Sequence, residues 1–419
     1  MTGDHSTSLD LDFVRGQFPA FSVASNQGRS FFENAGGSYA CRHTVEALHR
    51  YYVENKVQPY AGYEASADAG RQMDSSRQGW ADALGVGFDE VVFGPSTSMN
   101  TYVVAHALGE VLSSGDEVIV TNQDHEANTG AIRRMAARVG CELREWRTDP
   151  DTGLLELDGL RDLVNQRTRL VTVPHASNIV GQENDVAAVA GMVHGVGARL
   201  VVDGVSFAPH TLPDVDALGA DVYLLSLYKT YSVHQGLMVV RRDLLDELPN
   251  QGHFFNADLP DKRLNPAGPD HAQVAASGAV LDYVRELHVH HGGDASSPMR
   301  DVCSAVSARW RSRENEIAGP LLGALAARDD VRVIGPTEVG RGLHRCPTIA
   351  FSPLEIEPEE FSRDLVARGV QTSWGHYYAY RVLEGVGVEP ERGVVRLSAV
   401  HYTSDDDVDR ALAALEEIR

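Results

Sequence analysis

Closely spaced cysteines are missing from this sequence of 419 residues. The four cysteines, Cys41, Cys141, Cys303 and Cys346, lie far apart, and no CxxC pair occurs. This spacing argues against a disulfide framework and against a zinc site. We therefore expect buried structural thiols and no metal ion.

A histidine-rich stretch does not change that expectation. His288, His290 and His291 stand before two glycines, and no obvious carboxylate or cysteine partner occurs at ligand spacing. Histidines in a loop or at a helix end are the simpler interpretation.

Basic residues and long apolar runs are also scarce. Lysine and arginine number 37 against 59 acidic residues, which gives a formal charge of −22. This charge argues against broad polyanion binding, although a local basic site for a phosphate or a carboxylate is compatible with it. Residues 1–13 are acidic where a signal peptide is basic and apolar, and no apolar run approaches membrane-spanning length. We expect a cytoplasmic protein that binds neither nucleic acid nor a membrane.

A lysine between two strand-like apolar runs is the feature that points to chemistry. Residues 222–225 and 237–240 have strand propensity, so Lys229 lies in the connection between them. A lysine taken at random is an ordinary solvated cation. Asp203, however, ends another apolar run 26 residues upstream (229 − 203), which leaves room for a short helix and the next strand. Both side chains are then expected at one edge of a parallel sheet.

An amine and a carboxylate that converge on a sheet edge match the needs of pyridoxal 5'-phosphate. The lysine forms an imine with this cofactor, and the acid keeps the ring nitrogen protonated. We predict these two roles for Lys229 and Asp203.

The turn around the lysine also resembles a family motif. Ser226-Leu227-Tyr228-Lys229 is similar to the Ser-x-His-Lys motif of aminotransferase class V, with tyrosine in place of histidine. This family of fold-type I pyridoxal-phosphate enzymes includes the cysteine desulfurases, kynureninases and isopenicillin N epimerases. The resemblance covers essentially the whole chain and implies that Ser226 and Tyr228 also contact the cofactor.

The resemblance implies an α/β fold in two parts. A large cofactor-binding domain, residues 31–287, is expected to contain a mostly parallel seven-stranded sheet between helices. A small α+β C-terminal domain, residues 288–419, is expected to follow, and its alternating helix and strand patterns agree with that class. The N-terminal segment, residues 1–30, is expected to pack with the small domain.

The predicted phosphate site follows the strand at residues 91–93. Ser96, Thr97 and Ser98 stand at the start of a helical pattern, where backbone N–H groups and the helix dipole attract anions. Simple N-capping by Ser96 or Ser98 is equally compatible with the local sequence. The position of the cofactor phosphate in the family favours phosphate binding.

His125 lies in a segment, Asp124-His125-Glu126-Ala127, that is similar to the one holding the family's ring-stacking histidine. We expect it to cover the cofactor ring and to exchange protons near neutral pH. Asn178 corresponds to the family residue that contacts the phenolic oxygen of the cofactor, although it is also an ordinary turn residue. Ser206 stands where the family has glutamine, and a water-mediated contact is the expectation for it.

Gly268 and His271 lie in a turn, residues 265–271, that precedes a predicted helix at residues 272–287. In the family the equivalent turn reaches the phosphate bound by the neighbouring subunit. The resemblance therefore implies a homodimer with composite active sites.

The predicted substrate contacts come from both ends of the chain. Arg396 belongs to an Arg-x-Ser motif whose arginine grips the substrate carboxylate in the family. Asn34, Ala35 and Gly36 resemble the family segment whose backbone passes close to that carboxylate. Tyr378 occupies the position of the nucleophilic cysteine of the desulfurases, so no thiol is expected there. The aromatic segments around Tyr60 and Tyr377 are compatible with a bulky substrate.

These residues predict a cofactor more firmly than a reaction. Lys229 is expected to act as the general base at Cα of an amino acid. Our first hypothesis is a C–S β-lyase for a cysteine S-conjugate in secondary metabolism, such as antibiotic biosynthesis. Alternatives are a decarboxylating or oxidative deaminase, an epimerase, an aminotransferase, and a non-catalytic binding protein.

Overall fold

The computed structural model describes residues 8–338 and 344–418. Parts of the predicted N-terminal segment and of the predicted small domain therefore lie outside the described residues. The same holds for the beginning of residues 1–13, on which the localisation prediction depends. The helices are α1 Leu11–Gly16, α2 Arg42–Glu54, α3 Glu64–Leu84, α4 Thr97–Val111, α5 Glu126–Val139, α6 Leu157–Arg161, α7 Val186–His194, α8 Val215–Leu218, α9 Arg242–Glu247, α10 Pro260–Arg263, α11 His271–Ser277, α12 Ala279–His290, α13 Met299–Ala326, α14 Pro358–Ala367, α15 Tyr380–Gly385 and α16 Asp405–Glu417.

The strands form three sheets. They are β1 Ser30–Phe31, β2 Val91–Gly94, β3 Glu117–Thr121, β4 Glu142–Trp146, β5 Thr168–Pro174, β6 Arg199–Asp203, β7 Val222–Ser226, β8 Gly236–Val240, β9 Val331–Val333, β10 Thr348–Pro353, β11 Val370–Gln371, β12 Ser373–Gly375 and β13 Val394–Ser398. The largest sheet has seven strands in the order β2-β8-β7-β6-β5-β3-β4, and β8 is antiparallel to both of its neighbours. The predicted mostly parallel seven-stranded sheet is confirmed.

Alternating apolar residues place this sheet between two helical layers. Val118 and Val120 in β3 pack with helices α4 and α5, whereas Ile119 between them packs into the core on the other face, which includes residues of α3, α7 and α12. Successive side chains of a strand point to opposite faces, so a strand covered on both sides reads as a continuous apolar run. That is why these strands were visible in the sequence.

The second part of the fold is a four-stranded antiparallel sheet in the order β12-β13-β10-β9. Helices α14 and α16 pack against it around Phe361 and Leu415. The short strand β1 pairs in parallel with β11, which brings the N-terminal region to this sheet. Long helix α13 contributes Trp310 to the core of the large sheet and Leu321 to the core of the small one.

One expected helix differs from the structure. The single helix expected at residues 272–287 is two helices that meet at Gly278. Glycine fits this position because a Cβ there would lie 2.9 Å from the Ser76 Cα. Helix α12 also runs through the predicted boundary between residues 287 and 288, and the exact domain limits stay a prediction.

His288, His290 and His291 lie at or next to the C-terminal end of α12, as the simpler interpretation expected. Among the described residues, no helix is both long enough and apolar enough to cross a bilayer.

Candidate active site

A cavity of about 970 Å³ lies where the carboxyl ends of the central strands face the small sheet. In open α/β sheets this edge is where ligands bind. The cavity brings together most of the residues predicted for the site, from positions 35 to 396 of the chain. Those that line it are Ala35, Gly36, Ser98, His125, Asn178, Tyr228, Lys229, Tyr378 and Arg396.

Lys229 ends a short 3-10 turn that follows β7 directly. Burial and, to a smaller extent, the positive charge of Arg396 lower the pKa of its amine to about 8, while Asp203 and Glu33 oppose the shift. A substantial fraction of the amine is therefore unprotonated near neutral pH. Only that form attacks a carbonyl carbon or accepts a proton.

Asp203 ends β6, the strand next to β7, and is almost fully buried. Its Oδ1 accepts a hydrogen bond from the Val205 N–H at 2.9 Å. Burial raises the pKa of this carboxyl group, whereas the charge of Lys229 acts in the opposite direction. A second buried acid, Asp124, has its pKa raised by burial and by the charge of Asp203. Sequence reasoning assigned no role to Asp124.

His125 is the N-cap of α5, and its Nδ1 accepts a hydrogen bond from the Ala127 N–H at 3.0 Å. Burial lowers the pKa of the imidazole to about 3, and the charges of Lys229 and Arg396 contribute. The ring is therefore neutral at pH 7, with its proton on Nε2. The expectation that His125 exchanges protons near neutral pH is wrong for this environment, while its position in the cavity suits a flat ring that covers a ligand.

The N-terminus of α4 forms the floor of the cavity around Ser98. Ser96 caps the helix by accepting a hydrogen bond from the Met99 N–H at 3.2 Å. The hydroxyl group of Thr97 contacts Ser226 Oγ at 2.6 Å, which ties the helix to the end of β7. Gly236 allows this approach, because a Cβ there would lie 2.3 Å from the Ser96 carbonyl carbon. Ser96, Thr97 and Ser226 therefore fix the start of α4, and Ser98 lines the cavity. Phosphate binding by these four residues stays a prediction.

Arg396 lies in β13 and is buried, but its guanidinium is already paired. Its Nη2 lies 2.8 Å from Oε1 of Glu33, and Oε2 of Glu33 accepts a hydrogen bond from Ser373 Oγ at 2.9 Å. The guanidinium carbon also lies 3.8 Å from the ring centroid of Tyr377. Glu33 was not predicted from the sequence as a site residue, although it immediately precedes the segment Asn34-Ala35-Gly36.

The side chain of Asn34 differs from the other predicted substrate contacts. Its Nδ2 donates to the Ser398 carbonyl at 2.8 Å, and its Oδ1 accepts a hydrogen bond from the Tyr402 hydroxyl group. It therefore holds the N-terminal segment against β13 and does not line the cavity. Ala35 and Gly36, which follow it, do line the cavity.

Tyr377 and Tyr378 form the opposite wall, in a loop after β12. Both have left-handed backbone conformations, with φ of 49° and 57°, which is unusual for residues with side chains. Hydrogen bonds from Asn178 Nδ2 to the Tyr377 carbonyl, 2.9 Å, and from the Glu126 N–H to the Tyr378 carbonyl, 2.8 Å, hold this conformation. The ring of Tyr378 is 66% exposed, and its centroid lies 5.3 Å from that of His125.

None of the four cysteines lines this cavity. Cys41, Cys303 and Cys346 are buried, as expected, and Cys141 is partly exposed. Cys346 contacts the Ser206 carbonyl at 3.7 Å, and burial raises the pKa of its thiol well above the usual value. Burial therefore disfavours the thiolate of Cys346, and none of the four thiols faces the cavity.

Seven predicted cofactor residues do not line the cavity. Ser96, Thr97 and Ser226 belong to the segments that carry Ser98 and Lys229, and Asp203 ends the strand next to β7. The other three, Ser206, Gly268 and His271, and the aromatic residue Tyr60 also do not line it. Ser206 lies behind Asp203, beside Cys346. Gly268 is exposed, and His271 begins α11 away from the cavity, so their predicted contact with a second subunit stays a prediction. Tyr60 packs against Gly70 and bonds to Asp74, and it does not line the cavity of its own chain.

The fold and this site define a fold-type I pyridoxal-phosphate enzyme, and comparison with known proteins agrees. The sequence model of the aminotransferase class-V family matches residues 30–411, so the chain belongs to that family. The predicted membership, enzyme class and cofactor are confirmed.

Individual relatives cover nearly the whole chain. The sequence of this chain is 32% identical over 427 residues to the aminotransferase-like protein FGM3 of Gibberella zeae, with 99% of each chain covered. It is 28% identical to a cysteine desulfurase of Cronobacter sakazakii, with 98% of each covered. The apo structure of a cysteine desulfurase from Thermococcus onnurineus NA1 superposes with a TM-score of 0.83 at 23% identity, covering 97% of each chain, and shows the shared fold.

The residues present fit pyridoxal phosphate. Lys229 supplies the amine, Asp203 a buried carboxylate, His125 a flat neutral ring, and the α4 N-terminus an anion site. Their individual roles stay predictions.

Proposed function

We propose that this enzyme cleaves the C–S bond of a cysteine S-conjugate by β-elimination, without a thiol of its own. The observation that carries the proposal is the wall at Tyr377 and Tyr378. By the resemblance to the family, Tyr378 takes the position of the nucleophilic cysteine of the desulfurases, and no cysteine is among the residues that line the cavity.

The residues of the chain have separate roles in this reaction. Pyridoxal phosphate, when bound, withdraws electrons from Cα of an amino-acid substrate. Asp203 holds a positive charge at the ring nitrogen, and the unprotonated Nζ of Lys229 removes the proton from Cα. The C–S bond then breaks, and the sulfur leaves as a thiolate that takes up a proton. The remaining three-carbon unit hydrolyses to pyruvate and ammonia.

The surroundings of Lys229 support this division. Arg396 and Lys229 line the same cavity, so a substrate whose carboxyl carbon lies beside Arg396 presents its Cα towards the amine. The exposed ring of Tyr378 leaves one side of the cavity open for a bulky sulfur substituent. We also propose a homodimer in which Gly268 and His271 reach the phosphate bound by the partner, and a role in secondary metabolism within the cytoplasm.

Transamination is the second candidate, because the relative FGM3 is described as aminotransferase-like. The two reactions differ in their products. Elimination releases a thiol, pyruvate and ammonia and leaves the cofactor in its aldehyde form, whereas transamination releases the full-length keto acid and leaves the amine form.

The test is a panel of amino acids and cysteine S-conjugates, each as the free acid and as the amide, incubated with the purified enzyme and with its Lys229→Ala variant as control. With the wild-type enzyme only, mass spectrometry should detect a free thiol and, in equal amount, pyruvate from an acid or pyruvamide from an amide. A keto acid that retains the sulfur substituent would favour transamination, and a persulfide on the protein would contradict the proposed mechanism.

A further inference from the structure

The carboxylate of Glu33 forms an ion pair with Arg396, the arginine that was expected to bind the substrate carboxylate. Both of its oxygens are engaged, one by Arg396 Nη2 at 2.8 Å and the other by Ser373 Oγ at 2.9 Å. The side chain of Arg396 is 3% exposed and that of Glu33 is 25% exposed. The negative partner of this buried arginine is therefore part of the protein.

The rest of the guanidinium group is also constrained. The ring of Tyr377 lies 3.8 Å from the guanidinium carbon, and Nη1 donates to the Asn178 carbonyl at 3.3 Å. The Nε of Arg396 is buried and has no hydrogen-bond partner among the residues that the structure describes. The arginine therefore keeps donor capacity for a neutral oxygen, but its charge is already balanced.

A free α-carboxylate beside Arg396 would add a second negative charge, next to that of Glu33, around one positive charge. Close, poorly solvated like charges repel strongly, and a buried arginine cannot neutralise both. Moving Glu33 away would break both of its contacts. A carbonyl oxygen of an amide, ester or thioester avoids this conflict, since it accepts a hydrogen bond and adds no charge.

We propose that Glu33 makes the site selective for amino-acid derivatives whose carboxyl group is masked as an amide, ester or thioester. This inference rests on the proposed function, because it assumes that the substrate amine lies at Lys229. The cavity of about 970 Å³ has room for the masking group, since it lies at the upper end of the usual ligand-pocket range of about 300–1,000 Å³.

A masked carboxyl group also narrows the reaction. Decarboxylation at Cα requires a free carboxylate, so the decarboxylating alternative does not fit this substrate class. β-Elimination and transamination both remain possible at a Cα that carries an amide or an ester.

The experiment compares L-phenylalanine with L-phenylalaninamide as ligands that have no leaving group at Cβ. Each is titrated into the cofactor-loaded enzyme at equal concentration of free-base amine, and the change in cofactor absorbance gives the dissociation constant. The ratio of the two constants is measured for the wild type, for Glu33→Gln and for Glu391→Gln. Glu391 is a matched control, because it also lines the cavity but bonds to Tyr380.

We expect the wild type to bind the amide at least about 10-fold more tightly than the acid, since opposed charges change affinity by at least that factor. Glu33→Gln should shift the ratio at least about 10-fold towards the acid, because it leaves Arg396 unbalanced. Glu391→Gln should keep the wild-type ratio.

Two results would overturn the inference: a wild type that prefers the free acid, or a ratio that Glu33→Gln leaves unchanged. If Glu33→Gln does not fold or load the cofactor, Ser373→Ala serves instead, because it releases one oxygen of Glu33 and should shift the ratio in the same direction. A wild type that prefers the amide, with a ratio that responds to Glu33→Gln, but that releases no thiol from any cysteine S-conjugate would contradict the proposed C–S cleavage alone, which separates that failure from failure of the substrate inference.

Discussion

The two walls of the active-site cavity are built in different ways. The lysine wall consists of His125 and Lys229, which line the cavity, and of Asp203 on the strand next to the one that precedes Lys229. The tyrosine wall, formed by Tyr377 and Tyr378, lies in a loop of the small sheet with left-handed backbone. In the lysine wall Asp203 is buried and the other two residues are half-buried, whereas Tyr378 is mostly exposed.

This difference separates two tasks. Groups that tune protons and charges need low polarity and fixed positions, which buried strand ends provide. Groups that meet the variable part of a substrate lie on loops, because loops tolerate change without loss of the fold. We therefore expect the lysine wall to control whether chemistry occurs and the tyrosine wall to control which substrate is used.

The strongest test of the lysine wall is Lys229→Ala. Because the other lysines, Lys56 and Lys262, lie outside the cavity, turnover should fall by at least about 10⁴-fold. Borohydride reduction of the wild type followed by peptide mapping should place the pyridoxyl group on Lys229. A label on Lys56 or Lys262 would show that the lysine wall has been misidentified.

Asp203→Asn should have the next largest effect. Asparagine keeps the shape of the side chain and lacks the charge that stabilises a protonated ring nitrogen, so turnover should fall by about 10²- to 10³-fold. The variant should still bind the cofactor, which its absorbance spectrum will report. Turnover near the wild-type level would contradict the role of Asp203.

The pH dependence of cofactor loading tests the lowered pKa of Lys229. Only the unprotonated amine reacts with the cofactor aldehyde, and its fraction rises with pH up to the pKa of about 8. The loading rate of cofactor-free enzyme should therefore increase about 10-fold per pH unit below pH 8 and level off above it. Stopped-flow absorbance measures this rate, and a midpoint near 10.5 would indicate an ordinary exposed lysine.

Tyr378→Ala should have a smaller and selective effect. The exposed ring supplies contact area for a bulky substituent, so kcat/KM for conjugates with an aromatic S-substituent should fall about 5-fold, while kcat/KM for the S-methyl conjugate changes little. The cofactor spectrum should stay unchanged. Tyr52→Ala, another exposed tyrosine, is the control and should leave both substrates unaffected. Equal losses for the aromatic and the S-methyl conjugates would argue against a specificity role.

The smallest effect is expected from removing all four cysteines. The quadruple variant with alanine or serine at these positions should keep turnover within about 2-fold per loaded enzyme, although each buried replacement costs about 1 kcal/mol of stability. Activity and cofactor content are measured together. If activity is lost in a folded, loaded variant and restored by returning one cysteine, a thiol takes part in the reaction.

The lysine wall was the more predictable part from sequence. Asp203 and Lys229 follow apolar runs that form neighbouring strands, so strand pattern alone placed them together. The protonation state of His125 was not predictable, because it depends on burial and on the charges of Lys229 and Arg396.

The Glu33–Arg396 contact joins residues 363 positions apart and was also missed. It depends on Asn34 and Ser398 holding the N-terminal segment against β13. Within the helices, the break at Gly278 was missed because it depends on its contact with Ser76, a residue of another helix. Such contacts between distant segments leave no periodic pattern in the sequence.

Helix α13 has a consequence for how the protein unfolds. Its first half contributes Val306 and Trp310 to the core of the large sheet, and its second half contributes Leu321 and Leu325 to the core of the small sheet. Loss of either core removes the packing from one half of a single hydrogen-bonded helix, and fraying then spreads towards the other core. The two sheets are therefore expected to fold and unfold together in one cooperative step, and the cleft between them forms only when both have folded.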